Sequence, residues 1–311
     1  MKVRNLIVGS GLAACCFSVI LSLVALANPS RRIASSGLQL PRDLRPTDYQ
    51  TAEDVRLMIW FQKVDQNQIT KVVDAHLLKP LVQDLSTRQV AMEGIEVTEG
   101  QCPQLNAAID TCVRILHSRK KPRVFLSAQA KAPICTLNAS EPIIVIDSSI
   151  CSRFRDPAEL RFLIGRELGH IQAGHVRWLS LVRVAQKLSA KVGSWGSFGM
   201  PDGSSVLLPF LQWARASEMS ADNAGCICAQ DAAAVERALV RLATGVESEP
   251  GIDVNADSYL RQVENGDLSK ASELVLLFEQ LSERVPFAPD RIRQVRQYQL
   301  SRRYHQIWKR E

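Results

Sequence analysis

The spacing of apolar positions changes several times along this chain. Behind Lys2 and Arg4, a mostly apolar run without a charged residue extends from Leu6 and ends in Ala25-Leu26-Ala27 before Asn28. The A-x-A ending is that of an export signal, whereas the run is longer than the about 7–15 residues of a signal core and suffices to cross a bilayer. Residues 1–27 are therefore a signal peptide or an N-terminal membrane anchor, and either places the rest of the chain outside the cytoplasm. Residues 28–48 carry prolines and arginines without periodicity and are expected to be a linker.

From Thr51 to about Gln89 the period is helical, with Val55, Met58 and Ile59, then Val72, Val73, Leu77 and Leu78, on apolar faces. The strand signal lies in residues 122–146, in Val124-Phe125-Leu126 and in Ile143 to Ile146. Two or three strands are too few to stand alone, so they are expected to form a small sheet against a helix. That helix is announced by Asp156 as N-cap, Pro157 at the first helical position and Glu159 where a capping box places its acid. Leu160, Leu163, Ile164, Leu168 and Ile171 follow as an apolar stripe. Residues 193–209, with four glycines and two prolines, suit either a loop over a cleft or a plain connector. Past Cys228 the helical period returns, with a polar break near 245–257. The expected class is α+β and mostly helical, in a domain spanning residues 49–300.

The helix that starts at Pro157 carries Arg166-Glu167-Leu168-Gly169-His170. This is the zinc-protease pattern H-E-x-x-H with an arginine at its first position. In the intact pattern two imidazoles one turn apart hold zinc, and the glutamate deprotonates the metal-bound water. Arginine has no free lone pair and stays protonated, so it cannot ligate. His175 lies five residues beyond His170, about 140° further around a continuous helix, and is expected to face elsewhere. Further on, Glu218 and Asp222 stand four apart on an expected helix, where one carboxylate can bind a metal while the other orients a ligand.

Residues Leu163 to His175, together with Ser217-Glu218-Met219-Ser220-Ala221-Asp222-Asn223-Ala224-Gly225, resemble the gluzincin metallopeptidases that include HtpX and the CAAX prenyl proteases, family forty-eight of clan MA. Weaker likenesses extend it. Asn138-Ala139 before Ile143 is similar to the strand beside that family's substrate cleft, and Pro286-Phe287 with Arg291 is similar to its later H-P…R element. The resemblance implies a zincin-like domain with a small sheet packed on the motif helix. It also implies His170 and Glu218 as zinc ligands, Glu167 as general base, Asp222 as a carboxylate behind the ligands, and Asn138 and Ala139 beside a peptide or protein substrate. Two positions depart from it: Arg166 replaces a ligand, and Val285 stands where the family has a histidine before Pro286.

With the first histidine gone, Glu167, Glu218 and Asp222 crowd together without a cation and would raise one another's pKa. A guanidinium in that place supplies a fixed charge and a planar fork, so Arg166 is expected to replace the metal by bridging toward Glu218 or Asp222. The contrasting expectation is an Arg166 that points to solvent beside a weakened zinc site.

The net charge of +6 is concentrated at the C-terminus, where residues 291–310 hold six arginines and one lysine without an acid. With Ile292, Val295, Tyr298, Ile307 and Trp308 interspersed, this reads as a basic amphipathic helix over 291–311. It suits an anionic membrane surface or an acidic partner, and equally a terminal helix that packs one face and solvates the other. Nucleic-acid binding finds no support. Six cysteines beyond the leader permit disulfides in an exported chain without fixing their pairing. Three functions follow: a catalytically impaired pseudo-protease that binds peptide segments; an active zinc endopeptidase using His170, Glu218 and a further ligand; or a structural envelope protein. The cofactor is one zinc ion in the second case and none in the others.

Overall fold

In a computed structural model, residues 37–64, 85–128, 130, 132–138, 140–180, 204–248, 251–265 and 285–309 are described. The chain divides into two units, Met1–Leu38 and Gln39–Glu311. The expected signal or anchor lies outside the described residues. No described helix is long and apolar enough to cross a membrane.

The second unit begins earlier than the composition suggests. Residues 39–48, expected as linker, include the buried Leu44 and a 3-10 turn over Pro46–Asp48, and Gln39 exchanges hydrogen bonds with Gln230. Helix α1, Ala52–Val64, follows, then α2, Leu85–Glu93, and strand β1, Ile95–Glu96. Helix α3, Pro103–Ile115, leads into β2, Arg123–Ser127; β3, Ile134–Leu137; and β4, Ile143–Asp147. The sheet order is β1-β2-β4-β3, with β2 and β4 parallel and the outer pairs antiparallel. Strand β3 is thus at one end of the sheet.

After the short α4, Ile150–Arg153, comes α5, Pro157–Gln172, the central helix of the fold. Asp156 is extended and accepts from the backbone N–H of Ala158. Glu159 turns away from the cap to accept from Arg237 Nε at 2.9 Å. The expected apolar stripe is part of a helix buried almost all round, because α3, β3 and two later helices, over Ser204–Ala229 and Ala232–Thr244, pack on it from several sides. Helix α6, Ser204–Ala229, lies closest. A Cβ on Gly169 would stand 2.6 Å from Cβ of Ala224, and one on Gly225 would stand 2.6 Å from the ring of Phe162. These glycines let the two backbones approach to a distance that side chains would forbid.

Of the Gly/Pro-rich stretch 193–209, residues 193–203 lie outside the described residues and 204–209 are helical, forming the first turns of α6. Helix α7, Ala232–Thr244, is capped by Asp231 and ended by Gly245 at φ +71°. After the expected polar break come α8, Ala256–Glu264, and then α9, Ala288–Leu300, and α10, Arg302–Ile307, split at Ser301. Much of the C-terminal charge is used internally. Arg296 pairs with Glu236 and Asp257, Arg293 pairs with Glu264, and Ile292, Val295, Tyr298 and Ile307 are buried. The six cysteines of this unit are free thiols.

Candidate functional site

The facing surfaces of α5 and α6 hold the motif residues. Arg166, Glu167, His170, Glu218 and Asp222 are each 6% exposed or less. Their burial makes every charge among them depend on a partner.

Arg166 reaches across the helix pair. Its Nε donates to Oδ1 of Asp222 at 2.6 Å, and its Nη2 donates to Oε2 of Glu218 at 2.6 Å. Burial alone would push the guanidinium pKa down, but the charges of Asp222, Glu218 and Glu167 outweigh it and the net shift is upward. Arg291 of α9 makes a second fork onto the same aspartate, with Nε to Oδ2 and Nη2 to Oδ1, both at 2.8 Å. Asp222, at the centre, is wholly buried.

Glu167 faces the sheet, where its Oε2 accepts from Thr136 Oγ1 of β3 at 2.7 Å. One turn past Arg166, His170 directs Nε2 toward Oε2 of Glu218 at 3.6 Å. Asn138 lies just past β3 rather than in a strand. Its φ of +61° turns the backbone, and its Oδ1 accepts from the N–H groups of Ser140 and Glu141. Ala139 lies outside the described residues. The extended segment nearest the site is β3 itself.

His175 does not face elsewhere. Helix α5 stops at Gln172, Gly174 takes φ +74°, and the chain re-enters a helical backbone over residues 175–180. This break cancels the rotation of a continuous helix and brings Nδ1 of His175 to 3.0 Å from Nδ1 of His170. On its other side, Nε2 of His175 lies 2.9 Å from Oδ2 of Asp54 in α1. Asp54 also accepts from Trp213 Nε1 at 2.9 Å, Ser220 Oγ at 2.8 Å and Gln50 Nε2 at 3.2 Å. Burial would raise the Asp54 pKa, but hydrogen bonds from His175, Ser220 and Gln50 reverse that and hold it below the ordinary value. Burial pushes His175 down despite the neighbouring carboxylate. Sequence reasoning missed Asp54, Thr136 and Trp213, none of which lies in a motif, and gave no role to Ser220, which lies between Glu218 and Asp222 in the second one. The glycine at 174 was the one local signal that the helix ends between the two histidines.

A sequence model described as peptidase family M48 matches residues 101–299, which include both motif helices and the Arg291 element. The chain belongs to peptidase family M48. It is 25% identical over 243 residues to the plastoglobule-localized metallopeptidase 48, chloroplastic, of Arabidopsis thaliana, covering 75% of this chain and 68% of the relative. No solved structure matches it.

M48 peptidases generally use zinc, which takes nitrogen, sulfur or carboxylate donors in a tetrahedral set. The arrangement here does not fit that ion. His170 and Glu218 face one point, but the third corner is a guanidinium, and it already bonds the Glu218 oxygen nearest His170. Among the described residues, no three His, Cys, Asp or Glu side chains are placed to share a metal.

Proposed function

We propose that this chain is an HtpX-like M48 protein with an incomplete zinc site, a pseudo-protease that binds extended peptide or protein segments without cutting them. The observation that carries the reading is the fork of Arg166 on Glu218 and Asp222, in the place where the motif's first ligand belongs. Without a polarised water, Glu167 has no nucleophile to activate, and its bond to Thr136 gives it a structural partner instead. Strand β3, at the end of the sheet and joined to Glu167 through Thr136, is the element to which a peptide would add as a further strand. The apolar N-terminal run suits a location outside the cytoplasm, through export or anchoring.

Metal analysis of the purified protein, combined with a casein cleavage assay, tests this reading. The expected result is no stoichiometric zinc and no cleavage that a chelator abolishes. Zinc that is lost on Glu218→Gln, or chelator-sensitive cleavage, would replace it with an active endopeptidase. Peptide binding measured by fluorescence anisotropy then separates the pseudo-protease from a purely structural protein.

A further inference from the structure

Most of the positive charge near the C-terminus is answered inside the fold, and the part that is not lies together. Arg291 forks onto Asp222, Arg293 pairs with Glu264, and Arg296 joins Glu236 and Asp257. Beyond Ser301 the pattern changes. Arg302, Arg303 and Lys309 are exposed, and among the described residues none of them has a carboxylate within ion-pair distance. Arg302, Gln306 and Lys309 follow one another at helical spacing along the outer side of α10, while Tyr304 and Ile307 pack against the core. The backbone does not compensate these charges either. Arg302 and Arg303 stand in the first turn, the positive end of a helix.

An apolar group completes the corner. Leu300, the last residue of α9, is 80% exposed. One exposed leucine is ordinary by itself, but this one sits on a firm support with the two arginines just after it. Ser301 caps α10 through the N–H of Tyr304, the rings of Tyr298 and Tyr304 meet edge to face with centroids 5.3 Å apart, and Ile307 is buried. That packing joins α10 to α9 and keeps Leu300 on the outside.

We propose that the α9–α10 corner docks on an anionic lipid surface, with Leu300 entering the headgroup boundary and Arg302, Arg303 and Lys309 meeting lipid phosphates. The complementarity is one of charge and of depth. An anionic bilayer spreads negative charge over a plane and holds apolar matter just beneath it, which suits long basic side chains without fixed partners around an apolar tip. The same chain opens with an apolar run long enough to span a bilayer, which brings it to such a surface. The corner contact is additional to that run and independent of the peptide-binding reading.

Photocrosslinking of the full-length protein on vesicles tests the proposal. A benzophenone amino acid takes the place of Leu300 or, for comparison, of Met92, which is 87% exposed on α2. The vesicles are phosphatidylcholine alone or an equal mixture with phosphatidylglycerol, and adducts are identified by mass spectrometry. Lipid adducts are expected at position 300 on the mixed vesicles, with few on the neutral ones and few at position 92. Below saturation the yield should fall about fivefold for each of Arg302→Gln, Arg303→Gln and Lys309→Gln. Added salt should lower it too, by screening the same attraction. Equal yields on both kinds of vesicle, or at positions 300 and 92, would mean that the N-terminal run merely holds the protein near lipid, and would overturn the proposal. So would adducts that join two protein chains instead of lipid, or no adducts at all. The comparison of vesicles keeps every native charge, so it decides even where a glutamine variant misfolds.

Discussion

Nε of Arg166 lies 2.6 Å from Oδ1 of Asp222, and the same oxygen receives Nη2 of Arg291 at 2.8 Å. Two guanidinium groups from different helices therefore converge on one carboxylate that has no access to solvent. The first comes from the position where a histidine would hold metal; the second comes from the element after Pro286. Their removal has different expected consequences from the removal of a surface ion pair, because nothing but protein is available to replace them.

Arg166→Leu leaves Glu218 and Asp222 buried without the cation that joins them. Taking away one member of a buried ion pair costs about 3–5 kcal/mol, and Arg291 compensates only at Asp222. Urea denaturation should show a lower midpoint with little change in slope. Arg166→Lys should recover only part of the loss, since a point charge cannot fork onto two carboxylates.

If the proposed reading holds, Arg166→His is expected to create a zinc site. Residues 166 and 170 are one helical turn apart on α5, and Glu218 already faces them across the helix pair. Metal content near one zinc per chain, removable by a chelator and lost again in an added Glu218→Gln, would show that one residue separates the present arrangement from a metal centre. A variant that folds yet takes no zinc would mean that α5 and α6 are set wrongly for the ion.

The contact between those helices makes its own prediction. Gly169→Ala places a methyl group 2.6 Å from Cβ of Ala224, with backbone rather than a flexible side-chain end behind it. Overpacking of this kind costs roughly 1–3 kcal/mol and should appear as a lower melting temperature. Gly100→Ala, whose added carbon meets nothing within 4 Å, serves as the control and should change little.

Acid should weaken the fold in two stages. His175 has a folded pKa below its ordinary 6.5, so the unfolded chain binds the proton first, and stability that is complete above that value falls as pH drops below it. Asp54 is likewise depressed below 3.8, and its contribution, complete above that value, is lost at lower pH as the carboxylate protonates. Each step has a limiting slope of about 1.4 kcal/mol per pH unit for one proton. Chemical denaturation from pH 8 to 4 should show the first decline, and Asp54→Asn should alter the acid limb.

The parts of this fold that were legible in the sequence are those set by neighbours in the chain. Asp156 and Pro157 mark the start of α5 because capping is a local matter, and Glu218 with Asp222 share a helix face because four residues make about one turn. The parts that were not legible depend on contacts across long stretches of chain. Asp54 resembles any acid in the first turn of a helix, and its role exists only through His175, 121 residues away. His175 was misplaced because the rotation was carried through Gly174, where the helix has already ended. Strand β1, with two residues, is too short to leave a periodic trace.

The placement of Asp54 bears on how this protein can be divided. The family match begins at residue 101, yet Asp54, Thr51 and Tyr49 lie before it and bond His175, Ser220 and Gln172 within the matched part. A fragment cut at the family boundary would expose the ring of Trp213 and leave His175 and Ser220 facing a void. An expression fragment therefore has to begin by residue 39, and a protease nick between α1 and α3 would still leave the two pieces held together.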